Sequence, residues 1–342
     1  MNAVVKVDRG IGKIEFKNVP DPVAGPDQVM IEVKAAGICG TDLHIWHDEC
    51  PYNPPVILGH EISGVIAEMG EGVAGFEVGD RVTSETAGVI CGTCLYCRIG
   101  NYNLCIERLG IGSGIDGAFT RYCVVRKDIV HNLPENVDFA AGALCEPLSC
   151  CVHGVIEQTG VSAGDLVVIH GAGVIVLLSL QVAKAEGGRV VVLGLSRDEE
   201  RLKIARQLGA DETVNIEESD AGEIVKALSG GYGADVVLEC SGTEQAASLG
   251  LEIIRKRGKF TQMGLFGHPI RIDFEKIAYK ELQVAGFFSQ KWTAWKRALM
   301  LLKEGKVKTA PLLTDRFPLK RWEEAFRKFE AKESGKILLI PD

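Results

Sequence analysis

Four cysteines fall within fifteen residues: Cys91, Cys94, Cys97 and Cys105, in the stretch CGTCLYCRIGNYNLC. Gaps of two residues let thiolates converge, and a later cysteine can close a tetrahedron. That is the ligand number and spacing of a closed structural Zn²⁺ site. A cluster of disulfides fits less well, because Cys-x-x-Cys is a poor disulfide spacing and the start MNAVVKVDRG has no secretory apolar core. A second set of metal-ligating types is scattered: GICGTDLH at 37–44, GHEISG at 59–64 and Cys-Glu-Pro at 145–147. A catalytic zinc takes three protein ligands and keeps one position open. Cys39, His60 and Glu146 could supply them. Taken singly, they read as a small core residue, a satisfied loop histidine and a surface charge. Spacing alone does not join residues so far apart.

A third pattern concerns a nucleotide. The apolar run 166–169 leads into Gly171-Ala172-Gly173-Val174-Ile175-Val176, and a helical stretch follows to 185. In a dinucleotide fingerprint the first Gly makes the tight turn. The second lets the backbone approach the pyrophosphate, which rests on the helix N-terminus. The third Gly gives close packing of helix on strand; here Val176 stands in its place, which should weaken dinucleotide binding. An NAD site also wants Asp or Glu about 20 residues past the first Gly. This chain has Gly194 there, then Leu195, Ser196 and Arg197, with Arg201 beyond. A carboxylate repels a 2′-phosphate and a guanidinium pairs with it. NADP is therefore expected over NAD, with Ser196, Arg197 and Arg201 as candidate contacts. The alternative is that the two arginines are surface charges on a starting helix.

These residues need elements to hold them. Up to about residue 150 the chain is rich in Gly and Pro, with short β-like runs at 29–34, 64–69 and 81–83. From about 160, strands and helices alternate. Strands are expected at 166–169, 189–193, 212–215, 234–240, 259–264 and 282–287. Helices are expected at 198–208, 221–228 and 244–255. That alternation predicts parallel βαβ units in a doubly wound sheet. The last stretch is helical at 293–302 and 321–331 and ends on a strand at 336–340.

The chain of 342 residues is long enough for two domains. A hydrophobic content of 46% with 25% charged residues is that of a soluble globular protein. The net charge of −8 and the lack of basic runs argue against nucleic acid. No apolar run reaches the length of a membrane span. The cytoplasm is the expected compartment.

The motifs together resemble those of the zinc-dependent medium-chain dehydrogenase/reductase family. The matching segments are Gly-Ile-Cys-Gly-Thr-Asp at 37–42, Gly-His-Glu-x-x-Gly at 59–64, Gly-Asp-Arg-Val at 79–82, the four-cysteine lobe and Asp-Gly-Ala-Phe at 116–119. Glu-Pro-Leu-Ser at 146–149 resembles the polyol, sorbitol-type branch, and Gly-Thr-Asp-Leu-His-Ile at 40–45 is similar to threonine dehydrogenases. The resemblance implies a fold in two parts. One is a β-rich GroES-like catalytic domain, 1–150 and 288–342, with its zinc lobe at about 88–108. The other is a Rossmann domain, 151–287. It implies two Zn²⁺ per chain, catalytic on Cys39, His60 and Glu146 and structural on the four cysteines. Thr41 and His44 would relay the proton released from a substrate hydroxyl. Asp42 would fix the second nitrogen of His60. Glu61 would be a transient ligand or a support.

The resemblance places the dinucleotide on Gly171, Gly173, Val174, Ile175 and the arginine-bearing turn, with Leu265 beside it. It further implies a homotetramer acting on a small-molecule alcohol. One departure touches the substrate. Sorbitol-type enzymes carry an Arg-Tyr pair after the last Rossmann strand, and this chain reads Phe287-Phe288-Ser289-Gln290-Lys291. Ser289, Gln290 or Lys291 would then meet the substrate instead. The expected reaction is oxidation of a secondary alcohol, a polyol or related hydroxy compound, with NAD(P). The alternatives are an L-threonine 3-dehydrogenase and, in another class, a non-catalytic dinucleotide-binding protein on the same fold.

Overall fold

A computed structural model describes residues 1–341. The chain forms two compact units. The first comprises Met1–Ser149, Ser289–Lys303 and the chain from Thr309 on; the second comprises Cys150–Phe288 with Glu304–Lys308.

The centre of the first unit is the strand Gln28–Gly37. Its alternation of Val29, Ile31 and Val33 with half-buried neighbours is the period-2 pattern of a pleated strand with one face in the core. It pairs antiparallel with Glu61–Met69, so that Gly37 lies opposite Glu61. On its other edge it pairs with the C-terminal strand Lys336–Ile340. The sheet has seven strands in all. Three residues distant in sequence, Gly37, Glu61 and Lys336, thereby meet at one end of it. The short helix Gly40–Trp46 follows at once. Later the helix Cys145–Val152 starts close to the helix Phe139–Ala143, whose N-terminus is capped by Asp138 accepting from the Ala141 N–H at 2.7 Å.

The second unit holds a six-stranded sheet, parallel throughout. In spatial order the strands are Glu212–Asn215, Arg189–Gly194, Leu166–His170, Ala234–Glu239, Ile254–Gln262 and Gln283–Gly286. Numbered along the chain this is the order 3-2-1-4-5-6 of the doubly wound fold, as expected. Leu166–His170 is buried at every position, which is why its first four residues read as an unbroken apolar run. The switch point lies between this strand and Ala234–Glu239, at the Gly171 turn. The helix foreseen to 255 stops at Ile253, because Ile254 is drawn into the ladder opposite Ala234. Gln181 explains why Glu304–Lys308 belongs to this unit: its side chain accepts from Lys308 N at 2.7 Å and donates to Lys308 O at 3.3 Å.

Candidate metal centres and nucleotide cradle

The lobe is the plainest cluster. Cys91, Cys94, Cys97 and Cys105 bring their sulfurs within 4.8 Å of one another, and all four are free thiols. Backbone N–H groups aim at them: Cys91 N lies 3.2 Å from Cys105 Sγ, and Cys94 N lies 3.3 Å from Cys91 Sγ. The N–H groups of Thr93 and Cys94 pull the Cys91 thiol down to about 6, whereas burial pushes the Cys97 thiol up to about 12. A metal needs thiolates, so this arrangement fits a tetrahedral Zn²⁺.

The second cluster is built at the end of the central sheet. Cys39, His60 and Glu61 place ligand atoms within 4.8 Å of one another, His60 and Glu61 being buried. The group that converges thus contains Glu61, not Glu146. Gly37 makes room for it, since a Cβ there would come within 1.8 Å of a Glu61 oxygen. Both oxygens of Glu61 also bind Lys336 Nζ, at 2.6 and 2.8 Å. Burial works against the Lys336 cation, but Glu61 and the Cys39 sulfur outweigh it and its pKa is raised.

Glu146 is buried close by, and its Oε1 accepts from Gln290 Nε2 at 2.9 Å. Its charge is felt at His60. There burial disfavours the cation, yet Cys39, Asp42 and Glu146 together raise the pKa well above the ordinary value. Asp42 is fully buried. One oxygen accepts from Cys39 N at 2.8 Å and so fixes the start of the helix. The other, Oδ1, has no partner and lies 3.9 Å from His60 Nδ1, too far for a hydrogen bond. An orphaned carboxylate oxygen facing a ligating imidazole is what a metal-bound histidine uses to hold its tautomer. The donor set of one sulfur, one imidazole and buried carboxylates therefore fits Zn²⁺.

Thr41 Oγ1 is 3.8 Å from Cys39 Sγ, so the hydroxyl borders the same cluster. His44 lies on the next turn of the helix, more than a third exposed, and its Nδ1 pairs with Glu49 at 2.7 Å. Glu49 had no signal in the sequence. Neither had Lys336, apart from being a lysine inside an apolar strand. Lys291, considered above as a substrate contact, reaches Asn101 Oδ1 at 3.0 Å. His153 is a packed helix histidine, bonded to Glu157 at 2.6 Å and edge-on to Phe287.

In the second unit Gly171 takes φ +102°, which a side chain would resist. Gly173 precedes the helix Val174–Ala185, which has no side-chain cap, and a Cβ on Gly173 would meet nothing within 4 Å. Val174 and Ile175 form the first turn, so uncapped N–H groups face open space. That cradle fits a pyrophosphate. Val176 is buried and reaches under the turn: its Cγ2 would lie 3.5 Å from a Cβ on Gly171. At Gly194 a Cβ would come within 3.0 Å of Leu202, so a side chain there is crowded. Ser196 and Arg197 are exposed. Ser196 N donates to Glu217 at 2.8 Å, and Asn215 Nδ2 donates to Ser196 Oγ at 3.0 Å. Arg201 pairs with Asp198 at 3.3 Å. Leu265 is 78% exposed, and its carbonyl approaches so close to Gly242 that a Cβ there would lie 2.3 Å away.

Comparison with known proteins places both units. Residues 25–135 match the model of the alcohol dehydrogenase GroES-like domain, and residues 174–304 match that of the zinc-binding dehydrogenases. A sorbitol dehydrogenase of Halalkalibacterium halodurans is 47% identical across 100% of this chain and 99% of its own. A D-arabitol-phosphate dehydrogenase of Enterococcus avium is 38% identical over 99% and 97%. An L-threonine 3-dehydrogenase of Bacillus subtilis is 36% identical over 100% and 99%. A zinc-binding dehydrogenase from Sinorhizobium meliloti, solved with NADP bound, superposes with a TM-score of 0.91 at 34% identity, covering 99% of both chains. No helix among the described residues is long and apolar enough to cross a membrane.

Proposed function

The chain belongs to the zinc-dependent medium-chain alcohol dehydrogenase family, and from that premise we propose that it oxidises a secondary hydroxyl of a sugar alcohol or related polyol. The observation that carries this reading is the convergence of Cys39, His60 and the buried carboxylate of Glu61 beside Thr41. The likeness to a sorbitol dehydrogenase supports the substrate class.

Zinc held at Cys39 and His60, with Glu146 or Glu61 as the third ligand, supplies a Lewis acid that lowers the pKa of a substrate hydroxyl. The side chains around it do the rest. Thr41 accepts the hydroxyl proton, and His44, steadied by Glu49, passes it to solvent. A bound nicotinamide would accept the hydride from the substrate carbon, which would leave a ketone. Asp42 keeps the His60 ring oriented. Lys336 neutralises Glu61, which suits that carboxylate to a supporting place and leaves the third ligand position to Glu146. Cys91, Cys94, Cys97 and Cys105 would hold a second zinc, which would stabilise the lobe.

The dinucleotide rests on Gly171, Gly173, Val174 and Ile175, with Leu265 beside it. NADP is favoured over NAD by Ser196 and Arg197 and by the absence of a carboxylate at Gly194; Glu217, bonded to Ser196, opposes it. A cytoplasmic homotetramer is the expected form. The likeness to threonine dehydrogenases supports a second reading, oxidation of L-threonine. A panel of polyols and L-threonine, each run with NAD and NADP, tests both. The proposal expects turnover on polyols; activity on threonine alone contradicts it.

A further inference from the structure

The segment after the last Rossmann strand reads Ser289-Gln290-Lys291-Trp292 where a sorbitol-type enzyme has its Arg-Tyr pair. Three of its four residues are fastened to the cysteine lobe or the chain just past it. Ser289 Oγ accepts from Arg108 Nη2 at 3.3 Å, Lys291 Nζ donates to Asn101 Oδ1 at 3.0 Å, and Trp292 N donates to the Tyr102 hydroxyl at 2.6 Å. The fourth, Gln290, is 1% exposed and faces Glu146.

Gln290 cannot turn over in place. Its Oε1 accepts from Thr86 Oγ1 at 3.2 Å and from the Ser289 hydroxyl. Its Nε2 donates to Glu146 Oε1 at 2.9 Å. With the amide reversed, a carbonyl would face a carboxylate. Thr86 Oγ1 in turn accepts from Arg108 Nη2 at 3.1 Å. The bonds therefore run one way: guanidinium to hydroxyls, hydroxyls to amide oxygen, amide N–H to carboxylate. A chain with a cation at one end and an anion at the other is polarised along its length, and each bond strengthens the next. Ser289 adopts φ +59°, a conformation a side chain resists, and the bonds on its hydroxyl hold it there.

We propose that Gln290 is the positioning residue for Glu146, and that Arg108, next to the cysteine lobe, sets Gln290 through Thr86 and Ser289. The amide takes up one Glu146 oxygen and fixes the carboxylate's orientation toward Cys39 and His60. The amide itself carries no titratable proton. This rests on the reading of Cys39 and His60 as a metal centre with Glu146 as its third ligand. It assigns Gln290 to the enzyme's own ligand rather than to a substrate hydroxyl.

The test measures metal affinity, not turnover. The purified protein is loaded with zinc and titrated against a chelator; the ion that Cys39→Ser abolishes defines the first site. Gln290→Met keeps the shape and removes the N–H. It should weaken that ion by about 10–100-fold, the usual cost of losing a group that orients a ligand. The lobe ion should stay unaffected. With Co²⁺ in place of zinc, the absorption of the first site should shift. Thr86→Val, which leaves Gln290 in place, should weaken the ion less and in the same direction, and it decides the matter if Gln290→Met does not fold. Wild-type affinity and spectrum in the variant that folds overturn the assignment while leaving the metal reading intact. A wild-type protein with no Cys39-dependent ion overturns both.

Discussion

Lys336 Nζ binds both carboxylate oxygens of Glu61, at 2.6 and 2.8 Å, and both side chains are buried. The cation also donates to the Ile38 carbonyl at 2.8 Å, one residue before Cys39. A single lysine thus ties the C-terminal strand to the backbone that presents the cysteine. It also cancels the charge of the carboxylate beside it.

Removing one partner of a buried pair leaves the other uncompensated, which costs about 3–5 kcal/mol. Lys336→Met should therefore destabilise the fold by that much in urea unfolding. Lys336→Met combined with Glu61→Leu should recover a large part of the loss. A single variant as stable as the wild type would mean that the pair is not held in solution.

Lys336 has no local signature in the sequence. The lobe was legible because its four ligands lie close together, and the doubly wound sheet because apolar strands alternate with helical stretches. Thr41, Asp42 and His44 came with their motif. Lys336 and Glu61, by contrast, stand 275 residues apart and meet only because their strands flank Gln28–Gly37. Glu49 pairs with His44 through a turn that no spacing rule marks. Gln290 was visible only as a polar residue in a loop, since its partner Glu146 lies 144 residues away.

Val176 occupies the fingerprint position where a third glycine is expected, and it is 1% exposed. Val176→Gly should relax the helix toward the strand and tighten dinucleotide binding. It should also cost stability: about 1 kcal/mol for glycine in a helix and about 1.5–3 kcal/mol for lost burial. Titration calorimetry and thermal unfolding on the same variant read the two effects. An unchanged cofactor Kd contradicts the first.

On the proposed cofactor reading, Arg197 and Glu217 would pull cofactor choice in opposite directions at Ser196. Arg197→Ala should lower kcat/KM with NADP about tenfold or more, the equivalent of one charge-assisted hydrogen bond, and leave NAD nearly unchanged. Glu217→Gln should favour NADP further. Equal losses with both cofactors would place Arg197 outside the 2′-phosphate contact.

His170, at the end of the first Rossmann strand, is 1% exposed with no partner at Nε2, and burial pushes its pKa down to about 4. The unfolded chain takes up this proton near pH 6.5, the folded one only near 4. The stabilising difference is therefore full above about 6.5 and lost as pH falls toward 4, up to about 3 kcal/mol. His170→Leu should flatten that part of the profile. Unfolding midpoints at pH 7 and 4.5 measure it; parallel losses in wild type and variant would exclude His170 as the cause.

Cys39 and His60 are proposed to hold a working metal distinct from the one in the lobe. Zinc content per chain, measured alongside turnover, tests it most directly. The wild type should hold two zinc per chain. Cys39→Ser should keep one, remain folded and lose hydride transfer. A Cys39→Ser protein that still holds two zinc, or that still turns over, would contradict it.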